Sequence, residues 1–583
     1  MKKLPSLLTA LFLFLLPLKF GGLAVMPESG GFYPENFADW LFISWHPHSL
    51  GFFGAALLVI VLAFYREKLK FKELIFTLSW SLLPALAVIP GVIGGEWIIA
   101  VGEWSMLLGC GCVVTAAALI VNKEPEKALL FGTALLAGGI ACAFYGWHQH
   151  LYSLNEMRAF VAEQEAQGIP VSEAMRLKLT DPRIYSTLAS SNTFAAYLMI
   201  MLVVSFYFAE VWSRKISPPR QAKFILRGAF LLLFVSVLLL TRSRSMVFCP
   251  VAAGMLALFS SELIKWKWRI AGLAAGIVML AAGTAAGIAA GRGVASMGER
   301  VDYLRTSAIM CAATPVTGGG WGGFFRTHMQ IKASEVGETA RDPHNVVAKF
   351  ASQCGIPAGI IMLWVLLCPL VILWKQRFEK NFAGMVFWCG VIFTFHSLID
   401  CDWQVPALIA AMGVLYACAI AQLPESEKVP RAAWMIYPAA VIMITGSCWA
   451  SYWYLAGDKA LSRLQDKINP ATREVASRLA YIPVETLAKE AEKYRPAQAV
   501  IPMYCGDWYL RTGELDRAEK QFLRALELDP LRPAAYGRLA RIAMLRNERQ
   551  KAEKLLEKAR EIFPKGKQYT SEKFFSGTEN RTW

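Results

Sequence analysis

Charge is scarce along most of this chain, and that scarcity excludes a soluble fold. Only 18% of its 583 residues are Asp, Glu, Lys or Arg, while 55% are hydrophobic. Globular proteins in water are less apolar than this. CxxC pairs are missing although twelve cysteines are present, which leaves zinc-ribbon and dithiol redox chemistry unsupported. Most of those cysteines fall inside apolar runs, where the thiol behaves as a small hydrophobe. No basic recognition motif accompanies the net charge of +16, so nucleic acid is not the expected partner. No small-x-small cleavage site follows the basic start and apolar core of residues 1–16. That segment is expected to remain as an uncleaved first span.

What is present is a series of apolar runs, each near the ~20 residues that cross a bilayer. About thirteen spans are expected, near 4–25, 46–65, 74–93, 101–121, 128–147, 188–212, 225–241, 245–261, 270–290, 346–374, 382–399, 405–422 and 432–455. Basic residues alternate from loop to loop. One set holds Lys2 and Lys3, Arg66 to Lys72, Lys123 and Lys127, Arg214 to Arg227, Lys265 to Arg269, Lys375 to Lys380, and Lys428 and Arg431. The short loops between these are nearly free of Lys and Arg, apart from Arg242 and Arg244. The positive-inside rule assigns the first set, and the N-terminus, to the cytoplasm. The loops near 148–187 and 291–345 are then extracytoplasmic, and so is everything after about 456.

The tail, 457–583, is charged and repeats itself every 34 residues. Gly513, Ala518, Phe522, Ala525 and Pro530 are followed by Asn547, Ala552, Leu556, Ala559 and Pro564, and Gly506 by Ala540. Small residues at these spacings let paired helices cross closely, the pattern of a tetratricopeptide repeat. Two units cover about 499–566, and a degenerate third covers about 460–498, interrupted by Pro483 and Pro496. Such a tail is expected either to bind a protein partner or to cap the membrane domain.

The longest polar interruption of the membrane domain carries the candidate chemistry. It holds Arg300, Arg305, Arg326, Arg341 and His344 beside a glycine cluster that includes Gly318 and Gly320. Arginine forks onto phosphate oxygens, glycine lets backbone N–H groups approach an anion, and histidine exchanges protons near neutral pH. His344 precedes an apolar helix that Asn345 is suited to cap. Arg242 and Arg244 break the charge bias of the outer loops, which points to an anionic ligand. Lys19 is explained by snorkelling. The pairs His46-Pro47-His48 and His148-Gln149-His150 lack a recognised zinc spacing. Asp400-Cys401-Asp402 reads as polar anchoring at a helix end, with metal binding a weaker option. No metal or other cofactor is expected.

Four segments resemble the O-antigen ligase and O-antigen polymerase superfamily of bacterial membrane glycosyltransferases. They are RIYSTLASSNTFAAYL (183–198), with Asn192; LLLTRSRSMVF (238–248), with Arg244; the segment 299–324, with Arg300, Pro315, Gly318 and Gly320; and PHNVVAKFASQCGIPAGIIML (343–363), with His344, Asn345 and Gly355. The likeness covers about 180–420. It departs from the family where Pro357 and Gly359 follow Gly355, and where Gln353 stands near the usual acidic position. The resemblance implies an all-α, polytopic membrane fold similar to the C-type glycosyltransferases, in a bacterial inner membrane. It also implies transfer of a glycan from an undecaprenyl-pyrophosphate carrier to a lipid A-core, glycan or protein acceptor on the periplasmic face, with no metal. His344, Arg300 and Arg244 are then the catalytic residues. Arg242, Arg305, Arg341, Asn345, Gly318, Gly320 and Asn192 bind substrate. Three alternatives stay open. A polyprenyl-monophosphate glycosyltransferase would need paired acids in the first outer loop, where Glu28, Glu35 and Asp39 form no such motif. A transporter would put polar residues at mid-membrane. A scaffold would leave the arginine–histidine cluster unexplained.

Overall fold

The computed structural model describes residues 3–22, 36–66, 68–166, 179, 181–188, 190–216, 218–289, 294–332, 340–423, 429–469 and 473–563. Glu28, Glu35, Pro564 and the expected end of the first span at 23–25 lie outside the described residues. Every regular element among those described is helical.

Among the described residues, eight helical stretches are long and apolar enough to cross a membrane: Pro47–Phe64, Phe71–Val92, Trp97–Lys123, Lys127–Ala166, Ser191–Ser213, Pro219–Thr241, Ile356–Gln376 and Arg431–Ile468. Four shorter apolar helices, Leu4–Lys19, Ser245–Ser260, Phe382–Ser397 and Pro406–Ala421, have 16 residues each. Helix Trp266–Ala289 fills the ninth expected position. Helix Trp97–Lys123 is the hub and packs on Leu50–Phe64, Phe71–Ser81, Pro406–Ala421 and Ile436–Ile468. In its most apolar stretch, 94% of the residues are buried by neighbours, which is why it is apolar on every face. Its crossing with Leu50–Phe64 is close: a Cβ on Gly109 would meet the Gly51 nitrogen at 2.9 Å. Small residues permit such approaches where no water drives helices together.

Some loops that the charge pattern assigns to one side touch each other. On the basic face, the Tyr65 hydroxyl donates to Glu124 (2.8 Å), and Arg377 donates to the Ser260 carbonyl (3.1 Å). On the opposite face, Trp45 N–H donates to the Lys19 carbonyl (2.7 Å), and Glu96 N–H to that of Trp321 (2.9 Å). Lys19 does not snorkel. It is buried, its ammonium donates to the Trp40 and Ile43 carbonyls, and it lies 4.6 Å from the Trp40 ring centroid. It satisfies carbonyls at the end of helix Phe37–Phe42.

Two expected elements differ. The span read as 346–374 is two helices, Val346–Cys354 and Ile356–Leu373, broken at Gly355 with φ of 95°. A Cβ there would lie 1.9 Å from the Val316 carbonyl oxygen, so only glycine fits. Pro357 then opens the second helix, where its missing N–H is harmless. The boundary expected at 456 falls inside one continuous helix, Ile436–Ile468. Its last turns put Ala460 and Leu464 into the core of the tail, beside Val484, Leu487 and Ala491 of helix Val484–Tyr494. The degenerate first repeat is therefore built partly from the last membrane helix, and Pro483 starts a helix rather than breaking one. The two clear repeats are Val500–Arg511 with Leu515–Leu528, and Pro533–Leu545 with Arg549–Ile562. Gly513 and Asn547, one period apart, both turn through positive φ, at 82° and 62°.

Candidate functional site

His344 lies where three segments meet on the face opposite the basic loops. Its φ is 54°, a left-handed conformation uncommon outside glycine. The Asp342 carboxylate accepts the His344 N–H at 2.9 Å. Asn345 caps helix Val346–Cys354 by accepting the Ala348 N–H at 2.9 Å, and donates to the Leu398 carbonyl at 2.8 Å. That second bond brings the loop after helix Phe382–Ser397 alongside. Asp342 is held in turn by Gln404 (2.8 Å) and by Lys349 (3.5 Å), which also meets Glu103 at 3.3 Å. A buried ion cluster thus underpins the histidine.

The imidazole faces Asp400. Nδ1 lies 3.6 Å from Asp400 Oδ1 and 3.2 Å from Cys401 Sγ, and Tyr303 stacks on the ring with centroids 5.5 Å apart. No hydrogen bond to Nε2 is present among the described residues. Burial works against the charged form of His344, but the Asp400 and Asp342 carboxylates outweigh it and raise its pKa. Burial likewise opposes ionisation of Asp400, yet His344 and His396 hold its carboxyl well below the usual range. The other oxygen of Asp400 accepts from Asn192 Nδ2 at 2.7 Å and faces Arg300 at 3.8 Å.

From Asn192 a hydrogen-bonded chain leads to the arginine turn. Ser243 donates to Asn192 Oδ1 (2.9 Å) and pairs with Ser245 (2.8 Å). Ser245 meets His396 Nε2 (3.0 Å), whose Nδ1 meets Asp402 (2.7 Å). Between the two serines stands Arg244, exposed at the start of helix Ser245–Ser260. Burial, then the neighbouring Arg300 and Arg183 guanidiniums, lower its pKa. Arg244, Arg300 and Arg183 thus gather near Asp400, with Asp181 paired to Arg183 at 2.7 Å and Glu299 favouring the charged form of Arg244, and guanidiniums so grouped suit phosphate oxygens.

Of the residues singled out in sequence, His344, Arg300, Arg244, Asn192 and Asn345 come together here. Arg242 ends helix Pro219–Thr241 in a left-handed turn, φ 49°, next to Ser243. Arg305 is 62% exposed and faces Asp302 at 3.9 Å, and Arg341 lies over the Phe325 ring at 5.9 Å; neither is in contact with His344. The N–H groups of the glycine cluster are already taken. Every N–H from Gly318 to Gly323 donates inside the protein, to Thr314, Ser352, Gln353, Gly91, the Gln353 side chain and Gly320 in turn. Gly318 and Gly320 instead let the loop lie against backbone: Cβ atoms there would meet Cys354 N at 2.3 Å and Gly94 at 2.6 Å. Gln353, at the departure from the family pattern, accepts the Gly322 N–H at 2.7 Å.

Asp400 and Asp402 were read as anchors, yet each serves a different histidine. Their alternation with Cys401 turns the two carboxylates apart, and a three-residue motif carries no sign of which partners await. Tyr303 and Asp342 were also missed, and only their nearness in sequence to Arg300 and His344 hinted at a role.

Residues 228–363 match the family model described as O-antigen ligase, and residues 509–571 match a tetratricopeptide repeat model. The first match runs from within helix Pro219–Thr241 into helix Ile356–Leu373, and so includes Arg244, Arg300 and His344. No curated protein matches the chain. The family match agrees with the resemblance read from the sequence and supports a membrane glycosyltransferase-like function with a helical-repeat tail.

Proposed function

We propose that this protein transfers a glycan from a polyprenyl-pyrophosphate donor to an acceptor hydroxyl, at the periplasmic face of a bacterial inner membrane. The observation that carries the reading is Asp400, which stands 3.6 Å from His344 Nδ1 with one oxygen and 3.8 Å from Arg300 with the other. It ties a proton acceptor to a phosphate-binding group. The negative charge of Asp400 beside Nδ1 favours a proton there, so Nε2 is the nitrogen that receives the acceptor's hydroxyl proton, a role worth roughly 10²–10⁴-fold in rate. The acceptor oxygen attacks the anomeric carbon, the carbon–phosphate oxygen bond breaks, and the pyrophosphate leaves with the electron pair. Arg244 and Arg300 hold the charge that develops on it. Direct attack opposite the leaving group inverts the anomeric configuration, and the arginines supply the positive charge that a metal would otherwise bring.

Ligase and polymerase chemistry share this step and differ in the acceptor, whether lipid A-core, a growing glycan or a protein. The family match favours ligase. The repeat tail suits a protein contact. Arg244→Lys and Arg300→Lys test the pyrophosphate assignment, because lysine keeps charge but loses the bidentate fork. Each is expected to weaken binding of a polyprenyl-pyrophosphate donor at least tenfold. Unaltered donor binding in both variants, or retention of configuration in the product, would remove this reading.

A further inference from the structure

The side of His344 that faces away from the acceptor carries a set of metal-ligating donors. His344, Asp400 and Cys401 each offer one ligand atom, and these atoms lie within 4.8 Å of one another. Two of the three separations are 3.6 Å (histidine to aspartate) and 3.2 Å (histidine to thiol). Zinc binds thiolate at about 2.3 Å and imidazole or carboxylate at about 2.0–2.2 Å. Tetrahedral angles between such bonds put neighbouring ligand atoms roughly 3.3–3.6 Å apart. The two separations from the histidine are therefore close to those around a zinc ion. A second acidic oxygen, Asp342 Oδ1, stands 3.5 Å from the thiol. Arg300 approaches the other oxygen of Asp400, while Oδ1 accepts the Cys401 N–H at 2.8 Å and keeps a further lone pair for a metal. The imidazole is partly open, with 32% of its side chain exposed.

We propose that this cluster is an inhibitory site for a thiophilic divalent cation, zinc above all. Nitrogen, carboxylate oxygen and thiolate together favour zinc over magnesium or calcium, which take all-oxygen sites. Binding forms bonds from Nδ1, Oδ1 and Sγ to the cation, releases the thiol proton to solvent and, through solvent exchange, leaves the imidazole proton on Nε2 instead of Nδ1, with no change of oxidation state. A metal on Nδ1 leaves the ring's one proton on Nε2. That nitrogen then has no lone pair for the acceptor's proton, and transfer stops. The inhibition rests on the reading of His344 as the base, but the binding does not.

The test uses the purified full-length protein, with zinc, magnesium and cobalt chlorides as probes. Chelator alone is expected to leave transfer intact. Zinc at micromolar concentration should inhibit it and magnesium should not, with chelator restoring activity. Cobalt should give a thiolate charge-transfer absorption in the wild type that is lost in Cys401→Ser and Cys401→Ala. Both variants should keep transfer and need at least tenfold more zinc for the same inhibition. Absence of the cobalt band in the wild type, or its persistence in both variants, would overturn the site, whether or not the protein transfers glycans. A band without zinc inhibition would overturn the blocking of His344. Activity lost in chelator and regained with zinc would overturn an inhibitory role and make the metal part of the reaction. A wild type that binds cobalt but transfers no glycan would instead sink the proposed function and leave the binding site standing.

Discussion

A histidine at φ 54° is held in place by its neighbours, since such conformations cost of order ~1–3 kcal/mol. Asp342 takes its N–H, Tyr303 covers one face of its ring, and Asp400 orients its Nδ1. The residue types were legible in the sequence: a histidine at a helix start, and arginines where the loop charge bias breaks. Their supporting carboxylates were not, because side-chain direction in a short loop follows from contacts with distant segments. The buried pair of Asp402 and His396 is the clearest case. Through Ser245 it fixes the turn that presents Arg244, so it acts as a positioning pair. Asp402→Asn, compared at equal abundance, should weaken donor binding and lower kcat/KM for the donor several-fold, since Arg244 both binds the pyrophosphate and holds its developing charge. A fall in kcat with donor binding unchanged would mean that the pair acts on the chemical step instead.

Among the elements, the break at Gly355 matters most for placing the site. It lets helix Val346–Cys354 leave the line of Ile356–Leu373, so that His344 can meet the loop holding Asp400. The hydropathy of 346–374 conceals this break, because both helices are apolar and the interruption is one residue long. Glycine followed by proline two positions later was the available signal. The glycine cluster misled in the opposite sense, since its N–H groups looked free until the chain folded and carbonyls of neighbouring segments took them. Gly355→Ala combines a backbone clash at 1.9 Å with positive φ, the kind of strain behind losses above ~4 kcal/mol. The variant should be recovered at well under a tenth of wild-type abundance as monodisperse protein in detergent. Recovery and thermal midpoint equal to wild type would show that the break is tolerant and that its role here is overstated.

At the scale of the whole molecule, the tail and the membrane domain share a helix and a set of ion pairs. Arg495 donates to the Gly457 carbonyl and to Asp458, both at 3.0 Å, and Asp458 also meets His46 at 3.6 Å. Gln498 reaches Glu96 at 3.3 Å, and Arg326 joins Glu96 to Asp529 at 3.5 and 3.6 Å. The repeat period was plain in the sequence, but a 34-residue rhythm says nothing about what its first helix grows from. Arg495→Ala should loosen this joint by about 2 kcal/mol, a typical worth for a hydrogen bond to a charged group. It should lower the thermal midpoint and expose the tail to limited proteolysis while donor binding stays normal. An unchanged cleavage pattern would mean that the shared helix alone fixes the tail. Proton transfer in the proposed reaction depends on His344. The most direct measurement supplies the purified protein with a polyprenyl-pyrophosphate-linked glycan and an acceptor, then follows glycosylated acceptor and released polyprenyl pyrophosphate together. The wild type should form them in equal amounts, while His344→Ala, folded and binding donor normally, should be slower by about 10²–10⁴-fold. Transfer by His344→Ala at the wild-type rate would contradict the account at its centre.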